Sequence, residues 1–172
     1  MRSISMPILV LPPMLAVALG ARATGPTPEI ERPVAPPQET GVVHSLRTIP
    51  EACARIEGAF TGDAAEPYRF AVVRTSANCQ PRARFVDAAK ADPDTTKGWI
   101  FNDLIRVPSA ACPRRQAVVR VWRKPAASAP PDLDAQGRSR IYLQDSRQAA
   151  GSAMNRVPMF AAVMTVEGEA CR

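Results

Sequence analysis

From Ala54 onward the chain falls into short pieces that alternate in polarity with period two, which restricts it to β architectures. In "ARIEGAFT", Ile56, Gly58 and Phe60 share one face, opposite Arg55, Glu57 and Thr61. Thr48 and Glu51 have capping-box spacing, which would suit a helix here. Gly58 in mid-helix would cost about 1 kcal/mol, so a strand is the better reading. "YRFAVVRT", "RARFVDA", "GWIFNDLIRV", "QAVVRVWRK", "SRIYLQ" and "VPMFAAVMTVEG" follow, rich in β-branched and aromatic residues and bounded by Pro, Gly, Asn or Asp. The expected fold class is mainly β: a small antiparallel sandwich or barrel of about seven strands, stapled by two disulfides. One short helix is allowed for, at Asp145 to Asn155, capped by Asp145 or Ser146 and interrupted by Gly151.

The staples are Cys53, Cys79, Cys112 and Cys171. Their number is even, no two are in C-x-x-C spacing, and the only histidine, His44, stands apart in a polar tail. Disulfides therefore fit better than a metal site. Two loops resemble one another, "SANCQPR" at 76–82 and "SAACPRR" at 109–115. If successive strands alternate in direction, both loops lie at one end of the sheet. That favours Cys79–Cys112 and Cys53–Cys171 among the three possible pairings.

The N-terminus fixes the expected compartment. Arg2, an apolar run from Ile8 to Gly20 and the small-x-small "ARA" at Ala21 to Ala23 have the form of a signal peptide over 1–23. The run is short of the ~20 residues needed to span a bilayer, and no later run is long enough. Losing the two arginines of this segment lowers the net charge from +6 to +4. Arginine and alanine richness suits a bacterial coding sequence of high GC content, and a periplasmic or secreted protein. Residues 24–47 carry five prolines between Pro26 and Pro37, which predicts a disordered, semi-stiff leader. The remaining 48–172 form one disulfide-bonded domain, with a polar loop at Pro125 to Arg138.

Catalytic signatures are missing. The sequence has no G-x-S-x-G, H-E-x-x-H, P-loop, S-x-x-K or G-x-G-x-x-G, and His44 has no nucleophile beside it in sequence. Glu57, Asp87, Asp103, Glu167 and Glu169 are the carboxylates from which a hydrolase would draw a pair. Alternation favours reading them as solvated outward charges. "DLDAQG" at Asp132 to Gly137 opens like a calcium loop, but Gln136 and Leu143 stand where oxygen ligands belong. No cofactor and no metal is expected.

The stronger lead is basic. Between Leu104 and Pro131 there is no acid, but there are Arg106, Arg114, Arg115, Arg120, Arg123 and Lys124. Arg120, Trp122 and Lys124 share a strand face, opposite Val119, Val121 and Arg123. Arg106, Arg114, Arg115, Arg120, Trp122 and Lys124 are therefore the candidate binding residues, suited to an anion, a sugar or an acidic protein. The expected function is a periplasmic or secreted binding protein of the bacterial envelope, of which an inhibitor-like action is one form. Its partner would be an envelope protein or an anionic envelope component, not nucleic acid. Lipopolysaccharide or anionic-lipid binding through the basic hairpin, and carboxylate-dependent hydrolysis, are the alternatives.

Overall fold

The computed structural model describes residues 25–126, 135 and 157–171. Seven strands form two sheets: β1 (His44–Ile49), β2 (Ala54–Phe60) and β3 (Tyr68–Arg74) in one, and β4 (Arg84–Phe85), β5 (Ile100–Pro108), β6 (Gln116–Lys124) and β7 (Met159–Glu167) in the other. The first sheet runs β1-β2-β3 and the second β4-β7-β6-β5, and among the described residues no closed barrel is found. All pairings are antiparallel except β4 with β7, which is parallel. A four-residue helix, α1 (Ala88–Ala91), is capped by Asp87, whose side chain accepts from the Ala89 N–H at 3.0 Å. The segment "SRIYLQ", the helix expected at Asp145 to Asn155 and the "DLDAQG" loop lie outside the described residues.

Alternation builds the core. Ala117, Val119 and Val121 of β6 point inward with Phe160 and Ala162 of β7 and Ile105 and Val107 of β5. Leu46, Ile49, Ile56, Phe60 and Tyr68 of the first sheet pack against them. Gly58 sits on the inward face of β2 because the Tyr68 ring lies across it: a Cβ there would overlap the Tyr68 hydroxyl. The Tyr68 ring also meets Phe60 edge-on, centroids 4.8 Å apart.

β1 falls within the segment expected to be disordered. Its buried residues, Leu46 and Ile49, are three apart rather than two, and the β1–β2 register shifts between Ser45 and Arg47. That bulge hides the strand from a period-two reading.

The proline-rich leader is also not loose in the structure. It lies parallel along the outer edge of β5. The N–H groups of Glu29, Ile30, Ala35 and Gln38 donate to the carbonyls of Phe101, Asn102, Arg106 and Pro108, at 2.9–3.0 Å. Pro33, Pro36 and Pro37 occupy positions between these donors, and Pro28 the one just before them, where a missing N–H costs nothing. Proline excludes a ladder interior but not an irregular edge, which is why the expectation of disorder fails. The segment then crosses to the other sheet, where the Gly41 N–H donates to the Phe60 carbonyl at 2.8 Å, and continues as β1.

The disulfides are Cys53–Cys79 and Cys112–Cys171, with Cα–Cα distances of 5.8 and 5.6 Å. The expected pairing, Cys79–Cys112 with Cys53–Cys171, is therefore corrected. It assumed a continuous up-and-down meander in which "RARFVDA" is a full strand. That stretch instead supplies only the two-residue β4, parallel to β7, so the count of strand directions slips between Cys79 and Cys112. Each bridge staples the end of one sheet. Cys53 precedes Ala54, which pairs with Arg74 just before the Cys79 loop. Cys112 precedes Gln116, which pairs with Glu167 just before Cys171. The two similar loops thus carry halves of different bridges.

Candidate functional site

The register gathers part of the sequence-derived site. Leu104 opposes Arg120, Arg106 opposes Val118 and Phe101 opposes Trp122, so Arg106, Arg120, Trp122 and Lys124 share the outward face of β5 and β6. Trp122 packs on Phe101, ring centroids 4.9 Å apart. The Lys124 ammonium sits 5.9 Å from the centre of the Trp99 ring, within cation–π range. Arg114 and Arg115 are elsewhere, in the β5–β6 turn next to Cys112.

Much of this positive charge is met by acids distant in sequence. Arg120 donates to Glu167 and to the Thr165 hydroxyl, both at 3.0 Å. Arg114 meets Glu169 at 3.1 Å. Arg123, on the opposite face, grips both oxygens of Glu29 at 2.5 and 2.6 Å. With a further hydrogen bond from the Asn102 amide at 2.8 Å, this holds the Glu29 carboxyl well below the usual range, at about 2.

The carboxylates do not assemble into a hydrolytic pair. Glu57 is engaged by Arg55 at 2.5 Å, Asp87 caps α1, and Glu167 and Glu169 hold arginines. Asp103, expected to point into solvent, is fully buried at 0 % exposure. It lies next to a bulge between Phe101 and Asp103 and shares the inward side of β5 with Ile105 and Val107. Arg32 of the leader donates to both its oxygens at 2.9 Å, and Arg47 of β1 to one at 2.6 Å. One buried acid thus joins the leader, the first sheet and the second. The sequence signal available for it was parity: Asp103, Ile105 and Val107 alternate on one side.

His44 is not isolated in a tail. It belongs to β1, and its Nε2 lies 2.7 Å from the Tyr68 hydroxyl. Burial lowers the imidazole pKa and raises that of the Tyr68 phenol. The pair is built into the core beside Gly58. Among the described residues no three His, Cys, Asp or Glu side chains converge as a metal site would require.

A second feature had no counterpart in the sequence reading. Where β3 and the short β4 face each other, a cleft of about 320 Å3 opens, lined by Val72, Val73, Ala83, Arg84 and Phe85. Arg84 donates to the Met159 sulfur at 3.1 Å, but its Nε is buried with no acceptor. Comparison with family models, curated proteins and solved structures yields no match to this chain.

Proposed function

We propose that this protein is an exported, periplasmic or secreted binding module of the bacterial envelope, and that it acts by recognition rather than catalysis. The observation that carries this reading is the fate of its acid–base groups. Each of the five carboxylates singled out in the sequence, Glu57, Asp87, Asp103, Glu167 and Glu169, is engaged by an arginine or caps a helix, and His44 is spent on Tyr68. What faces outward is a sheet surface with Arg106, Arg120, Trp122 and Lys124. The disulfides and the signal-like N-terminus support an oxidising compartment. Among the described residues no helix is long and apolar enough to cross a membrane.

The interleaved acids favour a protein partner over a polyanion. Glu167 and Glu169 would repel a lipid phosphate or lipopolysaccharide brought to the Arg120 and Arg114 side chains. The test is a pull-down from envelope extract with disulfide-intact residues 24–172, washed at low and high salt. A single protein retained at high salt, and lost with Arg120→Ala plus Trp122→Ala, supports the reading. Anionic lipid or polymer held only at low salt supports the polyanion alternative instead. Turnover of a glycan, abolished by neutralising one carboxylate, would overturn both.

A further inference from the structure

One outer strand of the first sheet, β3, is open on its free side among the described residues. Its burial is the lowest of the long strands, with Val72 39 % exposed although it lies on the core-facing side. An unpaired edge presents a row of backbone N–H and C=O groups ready for another strand. The cleft of about 320 Å3 opens at this edge beside Val72, Val73 and Arg74, and a second depression of about 340 Å3 lies over the neighbouring β2, from Gly41 and Val43 across to Arg69, Phe70 and Ala71.

The charge around the cleft is mainly positive, with one acid, Glu66, 3.9 Å from Arg69 just before the strand. Arg69 and Arg74 belong to β3, with Arg82 and Arg84 across the cleft. Arg74 is spent on the carbonyls of Ser76, Ala77 and Cys79, and Arg84 retains a buried Nε without an acceptor. No acid lines the cleft, and the one acid lining the other depression, Glu57, is taken by Arg55. A second copy fits poorly: antiparallel pairing of β3 with itself about Ala71 and Val72 sets Arg69 against Arg74 twice, and like charges placed opposite are destabilising.

We infer that β3 is a strand-addition site for an extended, acidic segment of a partner protein. Main-chain hydrogen bonds would form to β3, an apolar side chain would enter the cleft between β3 and β4, and a carboxylate would meet Arg84. This deepens the binding-module reading and rests on it, while naming a surface separate from the β5–β6 face.

The probe is a capped peptide of alternating valine and threonine with aspartate at both ends, and its counterpart with lysine at both ends, titrated against disulfide-intact residues 24–172. The expected result is binding of the acidic peptide at least about tenfold tighter than the basic one, with new amide protection confined to residues 69–74. Arg84→Met should weaken the acidic peptide by about tenfold and leave the melting temperature unchanged. No binding, equal binding of the two peptides, or protection appearing on β5 and β6 instead would overturn the inference. Retention of an envelope protein in the pull-down together with any of those results would sink the β3 site alone and leave the broader reading standing.

Discussion

The sandwich has two long margins, and the chain treats them in opposite ways. At the β5 margin a proline-rich segment is laid along the strand, tied by backbone hydrogen bonds and pinned by Glu29–Arg123 and by Arg32 and Arg47 on Asp103. At the β3 margin there is an exposed strand, a cleft and an arginine with no acceptor for its Nε. Covering an edge removes a template for unwanted pairing. The covered margin uses prolines that cannot donate and charges that fix the register. The open margin carries mainly arginines, which discourage self-pairing while admitting an acid.

The largest expected effects come from the staples that hold both margins in place. On the chain-entropy account, the Cys53–Cys79 bridge, 26 residues apart, is worth about 3.5 kcal/mol, and Cys112–Cys171, 59 apart, about 4 kcal/mol. Typical domains have only about 5–15 kcal/mol of net stability, so full reduction should unfold the protein, as read by far-UV circular dichroism with and without reductant. Retention of native structure after full reduction would contradict this.

Next comes Asp103→Ala at the covered margin. Arg47 is only 14 % exposed, and removing its buried partner should cost about 3–5 kcal/mol in urea denaturation. Val72→Ala at the open margin should cost less than about 1 kcal/mol, because that side chain is already partly solvated. Equal effects would erase the distinction between the margins. Gly58→Ala, between the two, should cost about 1–3 kcal/mol through overpacking against Tyr68.

The smallest effect is a pH dependence at the covered margin. Glu29 titrates at about 2 when folded against an ordinary 4.5. A depressed carboxyl contributes fully above the unfolded value, and that contribution is lost as pH falls from about 4.5 through about 2. Amide signals of Glu29 and Ile30 should therefore shift over that window, and Glu29→Gln should remove that shift.

The fold class was legible because alternation survives in β2, β3, β5, β6 and β7: Ile56 and Phe60, or Val119 and Val121, point inward as their spacing predicts. It was not legible where bulges reset the count. Leu46 and Ile49 conceal β1 by a spacing of three, and the bulge beside Asp103 accompanies a charge buried within the fold. The disulfide pairing was missed for a related reason, since a two-residue strand paired in parallel changes the direction count without leaving a periodic trace. The leader was misjudged because composition reports what prolines forbid and not what Glu29, Arg32 and Gln38 secure between them. Of the candidate site, parity within one strand put Arg120, Trp122 and Lys124 on one face, and the β5–β6 register adds Arg106 to it. Their acidic partners, Glu167 for Arg120 and Glu169 for Arg114, come from the far end of the chain, and no local pattern announces them.

Hydrogen exchange at single amides tests the contrast between the margins most directly. The account predicts that the Ile30, Ala35 and Gln38 amides of the leader are protected by bonds to β5, while the amides on the free side of β3 exchange rapidly. Leader amides exchanging at the rate of an unstructured chain, or a β3 protected along both sides, would contradict it.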